Sequence, residues 1–163
     1  MRCRCQSKLG SSSLPAYHES EEASASPPPA AGADAVSESS EQPTAKTILI
    51  AEDDQNLRHL IRVVIGDAYR FVEASDGHEA LELALRVRPD LIILDLMLPG
   101  RSGFDVLSDL REELPAEETH VIVMSAWTHA DEAALNAGAD RFVPKPFEAD
   151  ELATIVNEVL DGS

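Results

Sequence analysis

The sequence predicts an α/β fold, a three-layer sandwich in which a five-stranded parallel sheet carries five helices on its two faces. Three observations carry this prediction. Apolar runs of strand length alternate five times with segments of helical periodicity. The strongest runs are apolar throughout, as suits strands buried on both faces. Pro89, Pro99, Gly100 and Gly138 punctuate the boundaries. Such alternation implies right-handed crossovers between parallel strands.

Taken in order, TILIA (47–51) is the first strand. Leu57, Leu60, Ile61, Val64 and Ile65 follow at i, i+3, i+4, i+7 and i+8, one apolar stripe of a helix. FVEA (71–74) is a weaker strand, and Ala80, Leu81, Ala84 and Leu85 form a smaller helical stripe. LIIL (91–94) and VIVM (121–124) are the next strong strands, with helix candidates near 104–113 and 129–137. RFV (141–143) is the weakest strand. Leu152, Ile155, Val156, Val159 and Leu160 repeat the first stripe's spacing in the last helix.

Composition divides the 163 residues in two. Residues 1–45 are rich in Ser, Ala, Glu and Pro, include Pro27-Pro28-Pro29, and hold almost no large aliphatic side chains. They bury too little apolar surface to offset ordering, so a disordered tail is expected there. Residues 46–163 are long enough for one core. The tail has three basic and six acidic residues; the rest has ten basic and 24 acidic. That acidic field leads us to expect no direct DNA binding and no membrane association. Both cysteines, Cys3 and Cys5, lie in the tail, so neither a disulfide framework nor a zinc site is supported. The basic start lacks the apolar region of a signal peptide, and a cytoplasmic protein is expected.

In open sheets of this kind, sites form outside the carboxyl ends of the strands. Glu52 and Asp53 follow the first strand there, Asp95 follows LIIL, Ser125 follows VIVM, and Lys145 follows the fifth. Singly, each reads as a cap, a turn residue or a solvated charge. Together they do not, because clustered carboxylates disfavour one another's ionisation unless a cation sits among them. Oxygen ligands of this number suit Mg²⁺.

The stretches IAEDD, LIILDLMLPGRSG, VIVMSA and AGADRFVPKPF resemble the receiver domain of bacterial two-component response regulators, over residues 46 to about 161. The resemblance implies a flavodoxin-like sheet of strand order 2-1-3-4-5. It implies Asp95 as the acceptor of a phosphoryl group from a sensor histidine kinase or phosphotransfer protein. Glu52, Asp53 and Asp95 would hold Mg²⁺, completed by the backbone carbonyl of Met97. Lys145 and Ser125 would contact the phosphoryl group, and Ser125 and Phe142 would carry the switch. The change would reach the surface of the fourth helix, fifth strand and fifth helix, where a downstream protein target binds. The Lys145–Pro146 bond is cis in that family. Asp54, where the family varies, reads as the cap of the first helix.

Met97 and Trp127 lie two residues after Asp95 and Ser125, where receivers flank the path of the hydrolytic water. Both are bulky and apolar, which predicts a long-lived phosphoryl group. Two rivals are weighed. A haloacid-dehalogenase-type phosphatase needs a second Asp two residues after the first, where Met97 stands. A pseudo-receiver would not need the complete set of Glu52, Asp53, Asp95, Ser125 and Lys145. The expected protein is therefore a phosphoacceptor and not a turnover enzyme. Because the last helical stripe ends close to residue 163, a stand-alone receiver is expected.

Overall fold

A computed structural model describes residues 45–162. The expected disordered tail lies outside the described residues, apart from Ala45. The chain runs β1 (Thr47–Ala51), α1 (Gln55–Ile65), β2 (Arg70–Ala74), α2 (Gly77–Val87), β3 (Leu91–Asp95), α3 (Gly103–Glu113), β4 (His120–Ser125), α4 (Asp131–Asn136), β5 (Arg141–Pro144) and α5 (Ala149–Asp161). All strand pairings are parallel and the order is β2-β1-β3-β4-β5.

The order explains the unequal strength of the strand signals. β1, β3 and β4 are central and buried on both faces, so their interior positions are apolar, with polar residues only at strand ends such as Thr47, His120, Asp95 and Ser125. β2 and β5, the weak runs, are the two edges. Alternate residues of the central strands enter opposite layers. Leu49, Ile92, Leu94, Val121 and Val123 pack with Ala84 of α2, Val106 and Leu110 of α3 and Ala134 of α4. Ile48, Ile50, Leu91, Ile93, Ile122 and Met124 pack with Ile61 of α1 and Leu152 and Val156 of α5.

Two expectations shift in detail. The first helical stripe includes Leu60, yet that side chain is 48% exposed and stands outside the core beside the exposed Val63. α4 is shorter than the expected 129–137. Its first turn has no side-chain cap, and past its end Gly138 takes a positive φ of 105°. The other elements agree with the sequence reading to within three residues at their ends.

Candidate functional site

The parallel sheet brings the carboxyl ends of β1, β3, β4 and β5 to one rim, and the local chemistry of each junction aims its side chain. After β1 the chain must turn into α1, and three adjacent carboxylates divide that work. Asp54 is the N-cap: its Oδ1 accepts the N–H groups of Asn56 (2.8 Å) and Leu57 (3.4 Å). That leaves Glu52, buried, and Asp53, exposed, turned to the rim.

Glu52, Asp53 and Asp95 each offer a carboxylate oxygen, and these oxygens lie within 4.8 Å of one another. Lys145 enters from beyond β5 and bridges two of them. Its Nζ donates to Glu52 Oε2 (2.5 Å) and Asp95 Oδ2 (2.6 Å). The remaining oxygens of those two carboxylates are also held. Glu52 Oε1 accepts the N–H of Asp54 (3.2 Å), and Asp95 Oδ1 accepts the N–H of Met97 (2.9 Å). The peptide bond that follows Lys145 is cis. The Lys145 N–H donates to the carbonyl of Ser125 (2.8 Å), tying β5's end to β4's.

Burial and charge oppose each other here. Burial pushes the Glu52 carboxyl above the usual range, and the hydrogen bond from Lys145 only partly offsets it. Burial lowers the Lys145 ammonium, but its bonds to Asp95 and Glu52 outweigh that and hold it above its ordinary value. One ammonium thus faces a cluster of three carboxylates and bonds two of them. The residual negative charge of the cluster is what a small divalent cation would neutralise, and an all-oxygen donor set suits Mg²⁺.

Ser125 is fully buried and its Oγ accepts the N–H of Trp127 (3.0 Å). Phe142 is half-buried against the layer formed by α2, α3 and α4. Met97 and Trp127 are both more than half exposed on the loops after β3 and β4. Two apolar grooves flank the rim. One of about 500 Å³ runs between Phe104, Trp127, His129 and Ala133. The other, of about 410 Å³, lies between Leu57 and Leu60 of α1 and the Lys145–Phe147 segment. The structure therefore gathers Glu52, Asp53, Asp95 and Lys145 at one rim, with Ser125 at the end of β4 and Met97 and Trp127 on the adjoining loops.

Two supporting residues escape the sequence reading. Gly103 opens α3 with its N–H on the carbonyl of Leu96 (3.0 Å), and an added Cβ would stand 2.4 Å from the Asp95 carbonyl oxygen. Arg58 donates to the carbonyls of Glu52 and Asp53 from α1. The glycine stands in the quoted stretch LIILDLMLPGRSG, but nothing in its spacing tells how close the backbone approaches. An Arg on the polar side of a helical stripe reads as a solvated charge.

Comparison with known proteins agrees with this geometry. The family model described as response regulator receiver domain matches residues 48–157. Response regulator MprA of Mycobacterium leprae is 36% identical over 116 residues, covering 69% of this chain and 50% of that protein. The DNA-binding response regulator MtrA of Mycolicibacterium smegmatis is 36% identical over 116 residues, with the same two shares. The chain thus spans half the length of each of these relatives. Among solved structures, the REC domain of AraT from Geobacillus stearothermophilus superposes with a TM-score of 0.65 at 34% identity, covering 72% of this chain and 95% of that one.

These relatives correct one expectation. The acidic balance pointed to no direct DNA binding, yet MtrA is named as a DNA-binding response regulator and others of its kind as transcriptional regulators. The physical reason is that a long-range field describes the segment carrying it. The charge of residues 46–163 speaks for the receiver surface alone, and it does not decide whether a protein of this family acts on DNA. Among the described residues, no helix is long and apolar enough to cross a membrane. With the sheet order, the acidic rim and the family match in agreement, the chain belongs to the response regulator receiver domains of two-component signalling.

Proposed function

We propose that Asp95 is the phosphoacceptor of a phosphorylation-activated switch, working with Lys145, Ser125 and a Mg²⁺ ion. The observation that carries this reading is the Lys145 ammonium bridging Asp95 and Glu52 at the strand ends, inside a cluster of three carboxylates. Bound at Glu52, Asp53, Asp95 and the Met97 carbonyl, Mg²⁺ would supply the charge neutralisation that phosphoryl transfer to a carboxylate requires.

The chain's own residues do the rest. A carboxylate oxygen of Asp95 attacks phosphorus, an O–P bond forms, and the N–P bond of the donor phosphohistidine breaks with its electron pair on the imidazole. Lys145 already touches Asp95 and needs to move little to pair with a phosphoryl oxygen as a point charge. Ser125 turns its hydroxyl from the Trp127 N–H toward another oxygen, with the N–H of Ala126 as a second donor. Drawing that loop inward opens room for Phe142, and the α4, β5 and α5 surface changes for a downstream protein target. The differential contacts to the phosphoryl group drive the population shift. The donor is a sensor histidine kinase or phosphotransfer protein, and the protein serves as an acceptor rather than a turnover enzyme.

The test is mass spectrometry after treatment with acetyl phosphate and Mg²⁺. One phosphoryl group is expected on the wild type and none on Asp95→Asn. An unmodified wild type would favour a pseudo-receiver, and turnover of phosphate esters a phosphatase.

A further inference from the structure

We propose that Arg58 is a positioning residue for the acidic pair and sets how tightly Glu52 and Asp53 hold a divalent cation. The inference rests on the reading of that pair as a Mg²⁺ site. Arg58 lies in the first turns of α1, and its side chain is only 13% exposed. One guanidinium nitrogen donates to the carbonyl oxygens of Glu52 (2.5 Å) and Asp53 (3.2 Å), while Nε donates to Glu73 Oε2 on β2 (3.1 Å). Three bonds from one planar group thus fix the backbone on which both carboxylates are mounted.

The fork is itself anchored. Arg62 donates to the other oxygen of Glu73 (3.0 Å), and its guanidinium lies 5.5 Å above the centroid of the Phe71 ring. The clamp therefore bolts the β1–α1 junction to the edge strand. Asp53 depends on it most. Its side chain is exposed and has no hydrogen-bond partner among the described residues, so its aim is set by its backbone alone.

Charge and positioning predict opposite signs, which makes the proposal testable. As a cation near the acidic pair, Arg58 repels Mg²⁺, so on charge alone its removal would tighten binding. As a clamp, its removal loosens the ligands and weakens binding. Lys keeps the charge but lacks the rigid fork that reaches two carbonyls and a carboxylate together.

The experiment is calorimetric titration of the full chain with Mg²⁺. Arg58→Met and Arg58→Lys should each bind about tenfold more weakly than wild type, as supporting residues of metal sites do. Asp54→Ala destabilises the same junction with the fork intact and should leave the affinity unchanged. If Arg58→Met fails to fold, Glu73→Gln decides, since it loosens only the outer end of the clamp and should also weaken binding. Equal or tighter binding in these variants, with the wild type binding normally, overturns the role of Arg58 alone. A wild type that does not take up Mg²⁺ overturns the reading of the pair and the proposal with it.

Discussion

Three adjacent carboxylates in IAEDD meet three environments, and each environment assigns a different task. Asp54 is spent on helix N–H groups, Asp53 stays exposed at the rim, and Glu52 is buried against Lys145. The Glu52 carboxyl is raised from an ordinary value of 4.5, chiefly by burial, so the folded state binds its proton more tightly than the unfolded state. Its contribution to stability is therefore greatest below 4.5 and declines as pH rises through the raised value. In metal-free buffer, urea unfolding of wild type and Glu52→Gln should show the wild type losing ground relative to the variant as pH rises above 4.5. A difference independent of pH would remove the burial argument. Met97 and Trp127 provide a second prediction at this scale. Both are exposed and apolar beside the candidate acceptor and offer no group to orient an attacking water. Met97→Asn or Trp127→Glu should hasten loss of the phosphoryl label by about tenfold, about 1.4 kcal/mol off the barrier. Equally fast loss in wild type and variants would end that idea.

At the scale of the element, the loop after β3 and the start of α3 form a single packed unit. The Leu96 carbonyl accepts the Gly103 N–H, and the space for a side chain at Gly103 is occupied by the backbone of Asp95 and Leu96. Ala at this position pushes α3 and the Asp95 loop apart. Denaturant unfolding of Gly103→Ala should show a loss of about 1–3 kcal/mol, with slower labelling by acetyl phosphate. Unchanged stability together with unchanged labelling would show that the loop tolerates the displacement. The same scale shows what the sequence discloses. Strand positions were legible because a doubly buried strand must be apolar at every inward site, and the weak runs proved to be the edges. The candidate site was legible because strand ends of an α/β sheet converge on one rim. Leu60 and α4 were less so: periodicity marks a stripe without saying where the neighbouring layer stops, and α4 lacks a side-chain cap to mark its start. Gly103 and Arg58 act through backbone approach and backbone carbonyls, which leave no pattern in residue type.

For the whole molecule, charge is the dominant long-range term. Residues 46–163 carry ten basic and 24 acidic side chains, and such self-repulsion destabilises a compact state. Two kinds of cation relieve it differently. Monovalent salt screens the surface without a site, over a Debye length of about 10 Å at 0.1 M. Mg²⁺ held as proposed at Glu52, Asp53 and Asp95 would bind the folded state alone and stabilise by mass action, about 2.7 kcal/mol at a hundredfold excess over Kd. Raising NaCl from about 10 mM to about 0.5 M should therefore raise the melting temperature of wild type and of Glu52→Gln/Asp53→Asn alike. Adding Mg²⁺ at constant high salt should raise it further in the wild type only. A Mg²⁺ gain of equal size in the double variant would mean that the ion acts by screening, and that the acidic rim holds no cation of its own.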